Sequence, residues 1–95
     1  VSHPYQLGTA PPGRRALADR LPPEVAAAAA ELITGPLLVN PQRVGKPVGD
    51  ELAGIYSARL GRLWRVLYEI DDATHTVIVL DIPHRSTAHR SPQAP

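Results

Sequence analysis

The chain contains no cysteine. That excludes a disulfide framework and any thiolate metal site, and it suits the reducing cytoplasm, where we expect the protein to work. No apolar run approaches the roughly 20 residues that a membrane-spanning helix needs, so no membrane partner is expected. The opening Val1-Ser2-His3-Pro4-Tyr5 has neither the basic nor the apolar stretch of a secretory signal. Net charge is scarce as well: 10 Lys and Arg stand against 9 Asp and Glu, so total charge singles out no class of partner. Internal repeats are absent. So are a Gly-rich phosphate loop, a Gly-x-Ser-x-Gly elbow and a His-Glu-x-x-His pair, which removes the common signatures of nucleotide, ester and zinc-dependent peptide hydrolysis.

What is present is ordinary globular composition in 95 residues, enough for a single domain spanning 1–95 with a frayed tail at 91–95. A domain of this size hides roughly 60–65% of the surface its unfolded chain exposes, so the core is modest. Tyr5, Leu7 and Thr9 alternate between Pro4 and Ala10 and predict a first strand. Pro11-Pro12-Gly13 reads as a break, followed by a short helix over Arg14 to Arg20 that Pro22-Pro23 stops. Pro23 and Glu24 suit the first turn of a second helix, and Val25 to Thr34 is alanine-rich up to Gly35-Pro36. The two helices form a hairpin across the Pro-Pro turn. Leu37 to Asp50, with Pro41, Gly45, Pro47 and Gly49, reads as a connecting loop.

Three further strands follow: Leu52 to Leu60, Leu63 to Asp71 and Thr76 to Ile82, separated by short turns. Pro83 ends the last. The residues from His84 to Ser91 are polar and suit a helical turn or a loop. The expected fold is therefore α+β, in the order β-α-α-β-β-β. Two helices pack on one face of a twisted, mainly antiparallel four-stranded sheet.

Charge is unevenly placed. Arg43, Lys46, Arg59, Arg62 and Arg65 share one stretch, opposed there only by Asp50 and Glu51, while acid collects at Glu69, Asp71, Asp72 and Asp81. In the strand Leu63 to Asp71, Trp64, Val66, Tyr68 and Ile70 take one parity and Arg65 the other. If the first set faces the helices, Arg65 stands on the open face, where Arg59 and Arg85 could approach it. Guanidiniums converging there would repel one another unless an anion lay between them, and arginine suits bidentate phosphate recognition. The other reading pairs each arginine with Glu69, Asp71 or Asp81 on a solvated face. His3 and His75 read as surface residues. His84 and His89 flank Arg85 and Arg90. His89 could serve as an acid or base, whereas the adjacent arginines oppose a metal, so neither metal nor cofactor is expected. Asp71-Asp72 reads as turn chemistry.

Arg20-Leu21-Pro22, Arg43-Val44-Gly45-Lys46-Pro47 followed by Leu52 and Gly54, Tyr56-Ser57-Ala58-Arg59, the run Trp64 to Asp72, and His84-Arg85-Ser86 together resemble the RelE branch of the RelE/ParE toxin superfamily, its actinobacterial members most. The likeness covers about Tyr5 to Arg90. It implies the toxin of a type II toxin–antitoxin pair, neutralised by a RelB-like antitoxin and reaching operator DNA only through it. It also implies a metal-free endoribonuclease that cuts mRNA in the ribosomal A site, where the ribose 2′-OH attacks the adjacent phosphate. By match, Arg65 and Arg85 neutralise that phosphate, Arg59 lies where the family usually has a basic residue, and Lys46, Arg62, Arg43 and Arg90 hold RNA phosphates, including those of rRNA. Two positions depart from the pattern. Ser57 stands where active relatives often carry lysine, and His89-Arg90 replaces a terminal Tyr-Arg pair. Two other readings stay in view: a ParE-like gyrase inhibitor without enzymatic activity, acting through its helical hairpin, and, because of these departures, a weak toxin that retains only antitoxin binding.

Overall fold

The computed structural model describes residues 3–48 and 54–84. Five strands form one sheet in the order β1-β5-β4-β3-β2, with β1 at Gln6–Thr9, β2 at Lys46–Pro47, β3 at Ile55–Leu60, β4 at Trp64–Asp71 and β5 at Thr76–Asp81. All neighbours are antiparallel except β1, which runs parallel to β5. The sheet thus has one more strand than the four expected. The addition is β2, two residues long, inside what the sequence presents as a loop. It is short and contains a proline, which only a sheet edge tolerates.

The remainder of that connector is also more ordered than expected. Two single helical turns, α3 at Pro36–Val39 and α4 at Pro41–Val44, each start on a proline. The main helix, α2, spans Pro23–Thr34 and also carries its proline in the first turn. The first helix, α1, begins at Pro11 and runs to Arg15, then widens into a π turn over Ala16–Arg20. Pro11-Pro12 therefore starts this helix where the sequence suggested a break. The reason is positional: the first amides of a helix have no intrahelical partner, so prolines there cost nothing. The π turn closes with Leu21 N–H donating to the Ala16 carbonyl over 3.0 Å, and Pro22 follows.

The core lies between these helices and one sheet face. Ala58, Leu60, Val66, Tyr68, Val77, Val79 and Ile82 from the sheet meet Ala16, Leu21, Ala29, Ile33 and Leu37, all buried. Trp64 and Ile70 pack against this cluster from the same side of β4, in line with their parity. Because five of the twelve residues of α2 are alanine, its own contribution is thin, and the β-branched and aromatic sheet residues supply most of the apolar area. Among the described residues, no helix is long and apolar enough to cross a membrane.

Gly13 sets how closely α1 lies on β5. A Cβ there would stand 2.7 Å from the Val79 carbonyl oxygen, in the backbone of a central strand that cannot retreat. At Gly8, in edge strand β1, a Cβ would meet nothing nearer than 3.6 Å. Gly13→Ala is therefore expected to lower stability by about 1–3 kcal/mol, the usual cost of overpacking, while Gly8→Ala stays within about 0.5 kcal/mol of the parent. Urea midpoints of the two variants check this. Equal midpoints would show that α1 can lift from the sheet freely.

Candidate nucleic-acid interface

The register of β3 against β4 decides where the basic groups sit. Arg59 is directly opposite Arg65, Ser57 opposite Leu67, and Lys46 of β2 opposite Ser57. Partners across an antiparallel pair share a face. Lys46, Ser57, Arg59 and Arg65 therefore share the face turned away from the helices. Arg62 is exposed in the tight β3–β4 turn, which Gly61 makes possible at φ +64°. Arg59, Arg62, Trp64 and Arg65 together line a concavity of about 190 Å³.

Among the described residues, no acid pairs with this cluster. Among the described residues the one ion pair is Arg20–Asp81 at 2.6 Å, and Arg20 also donates to the Ile82 carbonyl. Asp71 accepts hydrogen bonds from the Ala73 and Thr74 amides in its own turn, and Asp72 accepts one from the Tyr5 hydroxyl. Two of the acids that could have paired with the arginines, Asp71 and Asp81, are thus engaged elsewhere, and Glu69 makes no ion pair with any described residue. Arg65 is half-buried, and its Nε makes no hydrogen bond within the described protein. Ser57 Oγ is buried and unpartnered in the same way. A buried donor without an acceptor costs about 1–3 kcal/mol, and like charges placed directly opposite add roughly 0.2–1 kcal/mol. The hairpin tip therefore carries local positive charge at the expense of stability.

Lys46 reaches this face through a close-packed elbow. The Tyr68 hydroxyl, on the core side of β4, donates to the Pro41 carbonyl over 2.7 Å and ties α4 to the sheet. A Cβ on Gly45 would stand 2.6 Å from that hydroxyl and 2.7 Å from the Ser57 carbonyl oxygen. Only glycine lets the backbone pass there and deliver Lys46 to the edge of β3. Arg43 is exposed on α4. Burial pushes the Tyr68 phenol up to about 12; a hydrogen bond from the Gly45 backbone works against that shift, and the nearby Tyr56 ring, stacked at 5.6 Å, adds to it.

Of the candidate residues, Arg59, Arg62 and Arg65 come together. Lys46 lies further along the same face, and Arg43 lies on a separate helical turn. Arg85, His89 and Arg90 lie outside the described residues. The chain is described as far as His84, which bridges to Trp64 and meets its ring edge-on at 5.1 Å, while Arg65 N–H donates to the Pro83 carbonyl. The segment leading to Arg85 is thereby fixed beside the start of β4. His3 and His75 are exposed, His75 stacking on Tyr5 at 3.8 Å. Trp64 as a wall of the basic concavity was missed in the sequence, because its parity assigned it to the core. Its place at the end of a strand, next to a turn, was the available clue.

The sequence and this five-stranded α+β fold have known counterparts. The family model described as ParE toxin of type II toxin-antitoxin system, parDE, matches residues 12–89. Toxin RelE of Mycobacterium tuberculosis is 46% identical over 88 residues, covering 93% of this chain and 89% of that protein. In the crystal structure of the M. tuberculosis toxin–antitoxin complex RelBE2, a 46% identical chain superposes with a TM-score of 0.78, over 87% of this chain and all of that one. The isolated Escherichia coli RelE toxin shares the fold at 19% identity, with a TM-score of 0.72 over 92% of this chain and 87% of that one. The chain belongs to the RelE/ParE superfamily of type II toxins, in its RelE branch.

The Tyr68 elbow carries a pH signature. Its phenol titrates near 10 when unfolded and near 12 when folded, so folding favours the neutral form. That stability is fully present below pH 10 and is lost as pH rises from about 10 through 12. Tyr68→Phe is expected to remove this alkaline loss. It should also lower stability near neutrality by about 1–2 kcal/mol, since the Pro41 carbonyl loses its donor. Urea unfolding between pH 8 and pH 11.5 tests both. An alkaline slope unchanged in the variant would assign the effect to another group.

Proposed function

We propose that the chain is the toxin of a type II pair and acts as a metal-independent, ribosome-dependent mRNA endoribonuclease, restrained by a RelB-like antitoxin. The observation that carries this reading is the Arg59–Arg65 pair, placed side by side by the strand register, joined by Arg62 around one concavity and unpaired with any described acid. Such a pair is a poor structural device and a good receptor for a doubly liganded phosphoryl group.

That placement suits the chemistry which the likeness to RelE toxins implies. The ribose 2′-OH attacks the adjacent phosphorus in line, the P–O5′ bond breaks, and the products are a 2′,3′-cyclic phosphate and a free 5′-OH. Negative charge grows on the non-bridging oxygens as the 2′ oxygen bonds, and Arg65 with Arg59 meets it. Arg85 is assigned to the same phosphate. His89 is assigned to proton transfer or to stacking on a base. Arg62 and Lys46, with Arg43 and Arg90, hold flanking mRNA and rRNA phosphates. The M. tuberculosis and E. coli RelBE assemblies are toxin–antitoxin complexes, which supports an antitoxin partner here. Through that antitoxin the pair reaches operator DNA. The cytoplasm is the compartment that a ribosome-directed activity requires.

Induction in a bacterial host, followed by mapping of mRNA 5′ ends, tests the proposal. Codon-phased cuts confined to translated messages are expected. Arg65→Ala should slow cutting about a hundredfold, the usual value of one transition-state cation, and should relieve growth arrest while antitoxin still co-purifies. Growth arrest with DNA damage signalling and no cuts would instead point to gyrase.

A further inference from the structure

A second concavity, of about 290 Å³, lies on the other side of the hairpin tip, between the first turns of α2 and the β3–β4 turn. Val25, Ala28 and Leu63 give it an apolar lining, and Leu63 remains 51% exposed. It shares two residues, Arg62 and Trp64, with the arginine concavity. Glu24 stands among its lining residues and forms no ion pair with any described residue. An anion receptor and an apolar slot thus meet along one wall made of a guanidinium and an indole. The matching ligand has an anionic group joined to a flat apolar ring. An acidic amphipathic peptide would also offer charge and apolar surface, but its carboxylates would meet Glu24. The edge of a nucleobase offers amino groups that Glu24 can accept from.

We propose that this slot is a nucleobase subsite, taking the base of a ribonucleotide whose phosphate is held by Arg59 and Arg65. The base lies against Trp64 and Leu63, and Arg62 sits at the junction of base and phosphate. Glu24 accepts from an exocyclic amine, which favours cytosine, adenine or guanine over uracil. This rests on the phosphate reading of the arginine concavity and adds to it a source of sequence preference on the toxin itself.

Trp64 is the single tryptophan of the chain, so its fluorescence reports on the slot without labelling. The probes are uncleavable 2′-O-methyl tetranucleotides carrying cytosine, adenine, uracil or an abasic sugar at one fixed position. A saturable change in emission is expected, with cytosine and adenine strands binding roughly tenfold tighter than the abasic strand, the usual worth of one base stacked on an aromatic ring. Uracil should fall between them. Leu63→Asp should erase the margin over the abasic strand, whose own binding serves as the control for folding, and Glu24→Leu should bring cytosine to the level of uracil. Equal binding of base-bearing and abasic strands, still weakened by Arg65→Ala, would overturn the subsite and leave the phosphate reading standing. Binding indifferent to Arg65→Ala would overturn both. Emission that responds to an acidic amphipathic peptide and never to the identity of the base would give the slot to a protein partner and end the proposal.

Discussion

Two arginines held opposite each other across neighbouring strands are the constraint around which this protein is built. Nothing in sheet formation asks for Arg59 to face Arg65; the pairing costs free energy in like-charge repulsion and in a buried Arg65 Nε that has no partner among the described residues. It persists because the opposite face of the same two strands is locked. Ala58, Leu60, Val66 and Tyr68 are buried there, and a slip of one residue would throw all of them into water. The core thus fixes a register that the charged face alone would reject. An anion bound between the guanidiniums, as proposed for the RNA phosphate, would offset the repulsion between them.

The same logic extends along the sheet. Gly45 and the Tyr68 hydroxyl form a contact with no room for a side chain, and it sets Lys46 on the edge of β3. Gly13 draws α1 onto β5, and Arg20, at the end of that helix, takes up Asp81. Asp81 is thereby taken up by Arg20 and makes no ion pair with Arg59, Arg62 or Arg65. Positive potential at the hairpin tip arises as much from where the acids are kept as from where the arginines stand. A chain of nearly zero net charge can present a basic site in this way.

Much of this was legible before the coordinates. The parity of Trp64 to Asp71 fixed the inward and outward faces of β4, and the hydrophobic and turn patterns gave the helices and the last three strands. The same parity put Arg65 on the open face within reach of Arg59, and the likeness to RelE toxins gave that grouping a role. Less legible were features that depend on close approach between distant segments. Strand β2 is two residues long and includes Pro47, so it has no periodicity to read; it exists because Gly45 admits the backbone. Pro11-Pro12 punctuates the sequence like a turn yet opens a helix, and local propensity does not distinguish a break from a first turn. The apolar slot beside Trp64 joins α2 to a hairpin some 35 residues away, and no local pattern in either segment announces the other. Arg85, His89 and Arg90 were singled out in the sequence and lie beyond the described residues.

The central claim is that Arg59 and Arg65 act as one receptor and not as two separate surface charges. A double-mutant cycle on the affinity for an uncleavable 2′-O-methyl tetranucleotide, with Arg59→Ala, Arg65→Ala and the double variant at fixed low salt, measures this directly. A shared phosphate gives coupling of about 1 kcal/mol or more, with the second substitution costing much less than the first. Losses that add within about 0.3 kcal/mol would mean that the two guanidiniums serve different phosphates, and the account of the site given above would be contradicted.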